Sequence, residues 1–318
     1  MSADRRAIES QVWEAGGIGT EDCVMIVGAD ENAIVTQPRI DVATQQTGHS
    51  IEFWGRYFKN PGNTSPEQYQ PNKEAALLNQ KNIRVLPIGR QTGHVAGSES
   101  LGRADGTTNA KAIIGAFGTQ VLSLLPHGLL VFLDVEGSPN PSLSVDYYKG
   151  WADGLAQTAE AAGVKLLPAV YGAQGDSTTW THLAQAVSNG AACEGTWIAR
   201  PGTLGCHPLR PFNESFVRPQ GLPQSIRVLA WQAVLECHNL DFSILNPAFD
   251  AATLGKFVLP AVPSPAVVAA VPKPRAASKA RKKRIPKPKT GRTARKKRAA
   301  KSKTKRTARK KGSRAKRR

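Results

Sequence analysis

Apolar residues gather into seven short runs, most of which close on polar or charged side chains. They are "CVMIVGAD" (23–30), "IEFWGRYF" (51–58), "IRVLPIGRQ" (83–91), "LLVFLDVE" (129–136), "KLLPAVYGA" (165–173), "TWIARPG" (196–202) and "IRVLAWQAV" (226–234). Runs this short, bounded by Gly, Pro and charge, read as strands, and their near-continuous apolar character fits strands covered on both faces. Longer segments with helical spacing lie between several of them. "SPEQYQPNKEAALLNQKN" (65–82) offers Ser65 as an N-cap and Pro at the first helical position. "TTNAKAIIGAFGTQVLSLL" (107–125) and "SVDYYKGWADGLAQTAEAAG" (144–163) follow, the second closing on Gly, and "STTWTHLAQAVSNG" (177–190) repeats that grammar. Strands alternating with helices predict α/β architecture around a parallel sheet. An open doubly wound sheet would carry GxGxxG after its first strand, and this chain does not. The strand count and length fit a TIM-like (β/α)8 barrel over residues 23–258.

In such a barrel the active site forms at the C-terminal ends of the strands. Here those ends carry Asp30, Arg56, Arg90, Gln91, Asp134, Glu136, Tyr171, Arg200 and Gln232. The fourth run poses a question of its own, because five apolar residues, Leu129 to Leu133, lead directly into two carboxylates. Side chains alternate along a strand, so Asp134 and Glu136 share a face, with Cα atoms about 6.5 to 7 Å apart. Neighbouring like charges hold one carboxyl protonated and leave the other ionised. Glycosidic cleavage needs that pair: an acid for the leaving oxygen, and a carboxylate to stabilise an oxocarbenium-like centre or direct water. Alone, Asp-x-Glu is as readily a salt-bridged strand end.

Further residues extend the pattern. Asp30 ends the first strand in Gly28-Ala29-Asp30, and Arg56-Tyr57 ends the second. "DYYKGWADGL" follows the fourth, Tyr171 closes the fifth, and Trp197 to Ala199 form the sixth. Trp231-Gln232 and then Asp241 in "NLDFSILNP" follow at the barrel's end. In this order the motifs resemble the glycosyl hydrolase family twenty-five lysozymes, and more closely a sister family of bacterial glycoside hydrolase-like domains. The resemblance covers residues 23 to 258 and implies a TIM-like barrel, somewhat irregular in its last strands. It also implies Glu136 as proton donor, Asp134 as stabiliser, Asp30 and Asp241 as supporting carboxylates, and a polysaccharide such as peptidoglycan as substrate. Arg56, Tyr57, Gln91, Tyr171, Trp231 and Gln232 are the expected substrate-binding residues. The sequence departs from the lysozymes at Asp241-Phe242-Ser243, where an Asn is expected two residues after the Asp.

Plainer readings stand beside these. Asp30 could cap a loop, Arg56 could simply neutralise the mouth carboxylates, Tyr171 and Trp231 could be rim packing, and His94 a solvated loop histidine. No GxSxG elbow supports a serine hydrolase. A barrel that binds glycan or DNA without cutting is the alternative to an enzyme.

Charge changes the picture at one end only. The formal net charge of the 318 residues is +19, yet residues 273–318 carry 25 Lys and Arg and no acid, leaving 18 basic against 24 acidic residues before them. The chain therefore divides into an N-terminal segment (1–22), the barrel (23–258), a Pro/Ala/Val-rich linker (259–272) and a Lys/Arg-rich tail (273–318). The tail cannot build a core and is expected to be disordered, resembling the tails of linker histones. Its clusters Lys282-Lys283-Arg284, Arg295-Lys296-Lys297-Arg298 and Arg309-Lys310-Lys311 are expected to bind nucleic acid or another polyanion through phosphate-type contacts, without sequence specificity.

No signal-peptide-length apolar core and no membrane-length span occurs, which points to a cytoplasmic or nucleoid-associated monomer, or to export by a phage or effector route without a Sec signal. Cys23, Cys193, Cys206 and Cys237 form no CxxC pair; Cys206-His207 and Cys237-His238 match no zinc-finger spacing. Ordinary reduced cysteines are expected, with no metal and no cofactor.

Overall fold

The computed structural model describes residues 25–136, 141–200 and 204–262. The sequence readings of residues 1–22 and of the tail 273–318 lie outside them, as does most of the linker.

Eight strands close a barrel in chain order: β1 (Val27–Asp30), β2 (Ile51–Phe58), β3 (Arg84–Gly89), β4 (Leu129–Val135), β5 (Leu166–Ala173), β6 (Thr196–Ala199), β7 (Val228–Cys237) and β8 (Leu240–Leu245). The first seven correspond to the seven apolar runs. Helices on the outside are α1 (Gln37–Thr47), α2 (Pro71–Gln80), α3 (Glu99–Phe117), α4 (Thr119–Leu122), α5 (Val145–Ala161), α6 (Ser177–Ser188), α7 (Glu214–Val217) and α8 (Asp250–Leu254).

The closure is not that of a uniform (β/α)8 barrel. Strands β1 to β7 are parallel, but β8 runs antiparallel to both β7 and β1. A tight hairpin replaces the last crossover helix, with His238 and Asn239 both at φ near +60° between the paired Cys237 and Leu240. Reversal has a consequence for the site. Asp241, at the start of β8, falls opposite Asp30, at the end of β1. A parallel eighth strand would have carried its final residues to that end instead.

Two helix starts differ from the sequence reading. Helix α2 begins at Pro71, not behind Ser65, because Gln68 first bridges to Tyr57 of β2 and residues 65–68 turn. Helix α3 begins at Glu99, with the Ser98 hydroxyl accepting from Leu101 N–H. The added turns contain Gly102 and Gly106, which weigh against helix in a sequence reading but are needed here. A Cβ on either would lie 2.1 Å from a carbonyl oxygen of α5, and Gly150 and Gly154 of α5 meet carbonyls of α3 at 1.9 and 2.3 Å in the same way. The four glycines let the two backbones touch.

Alternation along each strand separates two apolar regions. Inside the barrel lie Phe53, Leu86, Ile88, Phe132, Ala169, Trp197, Ala230 and Leu245, with Phe257 packed against Phe53. Gly28 makes room for the Phe53 ring, since a Cβ there would lie 2.2 Å from it. Outside, under the helices, lie Trp54, Val131, Leu133, Trp151, Trp180, Ile198 and Trp231.

Candidate active site

The inward positions at the C-terminal strand ends are Asp30, Tyr57, Asp134, Tyr171 and Gln232, joined by Asp241 of β8. Gln232 ties several of them together. Its Nε2 lies 3.2 Å from Asp30 Oδ1 and 3.3 Å from Asp241 Oδ2, while Tyr171 donates its hydroxyl to Gln232 Oε1 at 2.7 Å. One carboxamide thus spans two carboxyls of neighbouring strands. Burial, then the charges of Asp241 and Asp134, push the Asp30 carboxyl well above the ordinary carboxylate range, against the hydrogen bond from Gln232. Burial also raises Asp241, against the hydrogen bond from Glu236 N–H, to about 6.

Asp134 is in a different state. Its side chain is fully buried, yet neither carboxyl oxygen has a hydrogen-bond partner. Burial and the nearby charge of Glu136 hold its carboxyl well above the usual range, with Arg90 opposing. Glu136 lies just past the end of β4 and is exposed. The fourth strand thus delivers one acid beneath the surface and the next to the rim.

Beneath these groups the barrel interior is aromatic. Trp197 lies 4.5 Å from Tyr171 and 5.7 Å from Phe132 between ring centroids, and donates its indole N–H to Ser243 Oγ. Tyr57 is half-buried, and the Arg90 guanidinium lies over its ring at 4.7 Å.

Three of the expected substrate-binding residues are placed elsewhere. Arg56 points outward and is fully buried under the loops before α1 and α2. There it donates to the carbonyls of Glu31, Pro66 and Gln68, and its Nε lies 2.8 Å from Glu74 Oε2. Trp231 also points outward, donates to the Arg200 carbonyl and packs edge-on against Phe216. Gln91 is buried and directs its amide to the Lys59 carbonyl. For Arg56 and Trp231 the reason is that consecutive strand residues face opposite ways, so a neighbour of an inward residue faces the helices; Gln91 lies past the end of β3, where the chain turns into a short 3-10 helix. Arg90, inward by the same rule, was legible as a strand end but not selected. Trp197 carried part of the family resemblance without being read as part of the barrel interior. His94 pairs with Asp105, which also accepts from Tyr147 OH.

The cysteine expectation is corrected. Cys206 and Cys237 form a disulfide, whereas Cys193 is free. The loop after β6 lies along the projecting end of β7, with Gly205 N–H donating to the Leu235 carbonyl, and this brings together residues 31 apart in sequence. Ligand atoms of Cys206, Cys237 and His238 lie within 4.8 Å of one another, but the disulfide occupies both sulfurs. Among the described residues no helix is long and apolar enough to cross a membrane.

No protein-family model matches the chain, and no curated protein matches it in sequence. Solved structures do resemble it. An uncharacterized protein of B. stearothermophilus aligns at 18% identity over 73% of this chain and 99% of its own, with a TM-score of 0.52. The Clostridium perfringens spore cortex lytic enzyme SleM aligns at 14% identity over 71% and 69%, with a TM-score of 0.41. The autolysin LytC of Streptococcus pneumoniae, solved with a synthetic peptidoglycan ligand, aligns at 13% over 72% and 48%, with a TM-score of 0.39. At these identities the likeness concerns the fold alone, and the first of the three carries it.

Proposed function

We propose that the barrel is a glycoside hydrolase acting on peptidoglycan or a related polysaccharide of N-acetylated sugars. The observation that carries this reading is Asp134: a fully buried carboxyl without a partner, two residues from an exposed glutamate, at the mouth of a barrel. An unpaired buried acid costs stability, and a structural role would have supplied it with donors. In a glycosidase it has a use. Glu136 gives its proton to the glycosidic oxygen as the C–O bond breaks, and Asp134, acting on it electrostatically from beneath the surface, helps keep the pair singly protonated. Asp241, the half-buried carboxyl nearest ionisation at neutral pH, faces the positive charge that develops at the anomeric carbon, and water then completes hydrolysis. Gln232 fixes Asp30 and Asp241 and has no free hydrogen-bonding edge for sugar. Tyr57 and Tyr171 remain as ring surfaces.

Reducing-end release from peptidoglycan and chitin, wild type against Glu136→Gln, tests this. General acid catalysis contributes about 10²- to 10⁴-fold, so the variant should lose at least a hundredfold. Equal release by both proteins would leave a binding barrel. The tail belongs to the same proposal as a tether to polyanions. Binding to arbitrary duplex DNA should fall steeply between 50 and 300 mM salt and vanish on truncation after Pro272. Retention by the truncated chain would overturn the tether. The Cys206–Cys237 disulfide supports the exported alternative over the cytoplasmic one, since structural disulfides persist in oxidising compartments.

A further inference from the structure

Arg90 follows β3 directly, and its side chain continues the inward series of Leu86 and Ile88. Its guanidinium carbon lies over the Tyr57 ring, 4.7 Å from the centroid, and the group acts electrostatically on Asp134. Even so, its Nη1 is shielded from water and has no hydrogen-bond acceptor. The carboxylate within reach is Glu67, whose oxygen is 4.0 Å away on a side chain that is 60% exposed. This differs from Arg56, whose guanidinium meets three carbonyls and Glu74. Asp134 does not fill the gap, because neither of its carboxyl oxygens is within a hydrogen bond of any donor.

We propose that Arg90 binds a carboxylate on the substrate, beside the bond to be cleaved, so that the barrel selects an acidic glycan over a neutral one. This rests on the hydrolase reading of the same mouth. The Tyr57 ring backs the guanidinium on one side, and a planar fork suits a carboxylate's two oxygens. The carboxyl groups described at the mouth, Asp30, Asp134, Glu136 and Asp241, give an anion no cation to pair with. Among the described inward positions of the mouth Arg90 is the cationic one, and a charge held there sets the register of the sugar chain. A neutral glycan would bind with Nη1 still unpaired, and leaving a buried donor unmet is what makes such discrimination strong.

Equilibrium binding tests this without requiring turnover. The full chain is titrated, in 0.5 M salt to suppress the tail, with an N-acetylhexosamine oligosaccharide bearing carboxylate ethers and with its amidated counterpart. Wild type should bind the acid form about ten- to a hundredfold tighter, the usual worth of a charged hydrogen bond. Arg90→Gln should abolish that preference, Arg90→Lys should retain part of it, and Glu67→Gln should leave it intact. If Arg90→Gln does not fold, the Lys variant decides: an undiminished preference there overturns the assignment. Equal binding of both glycans by wild type, or a preference that survives Arg90→Gln, overturns the role of Arg90 alone. Failure to bind either glycan removes the hydrolase reading with it.

Discussion

Two buried carboxyls on the two sides of one barrel wall have opposite surroundings. Glu74, on α2 outside the wall, is fully buried and fully used: it accepts from Val35 N–H and Gln70 N–H and pairs with Arg56. Asp134, inside the wall, is as deeply buried and has no hydrogen-bond partner. The first closes a network that fastens the loops before α1 and α2 to β2. The second stands without donors beneath the C-terminal mouth of the barrel, its carboxyl held well above the ordinary range. Burial by itself therefore says little about role; satisfaction separates a strut from a reagent.

The comparison can be broken most directly on the outer side. Glu74→Gln leaves Arg56 as an uncompensated buried cation and should destabilise the fold by about 3–5 kcal/mol. Chemical denaturation measures it. A loss below 1 kcal/mol would show that the outer pair is no strut.

A smaller effect distinguishes the inner side by pH. Asp30 and Asp134 are raised well above their ordinary values, Asp241 to about 6, and Glu31 beside Arg39 to about 7. In each case the native state holds a proton that the unfolded chain has released. For Asp241 and Glu31 the contribution is thus complete below about pH 4 and is lost as pH rises through about 6 and 7, and Asp30 and Asp134 act in the same direction. Melting temperature should fall between pH 5 and 8, and Asp30→Asn should flatten that slope. A rise over the same interval would contradict the assignment of neutral acids.

Much of this was legible in the sequence, and the two misplaced strand residues share a cause. The seven strands follow from apolar runs, and Asp134 and Glu136 follow from alternation applied to "LDVE". The same alternation, applied to "GRYF" and "WQAV", would have excluded Arg56 and Trp231 while keeping Tyr57 and Gln232, and carried one residue past β3 it adds Arg90. Strand β8 was read as a segment after the last strand, because nothing in "LDFSIL" announces that the chain has turned back to close the barrel. The Cys206–Cys237 bond depends on a long loop lying against β7, a tertiary fact with no local signature. The early turns of α3 were hidden by Gly102 and Gly106, whose low helix propensity is overridden by contact with α5.

The central claim is that the unsatisfied inner acid does chemistry while the saturated outer one holds structure. It is tested most directly by Asp134→Asn, with glycan cleavage and melting temperature measured on one preparation at pH 8. Cleavage should fall by roughly a hundredfold or more, while the melting temperature is unchanged or rises, because Asn has no charge that folding must neutralise when the side chain is buried. A variant that unfolds, or one that cleaves as well as wild type, would contradict the account.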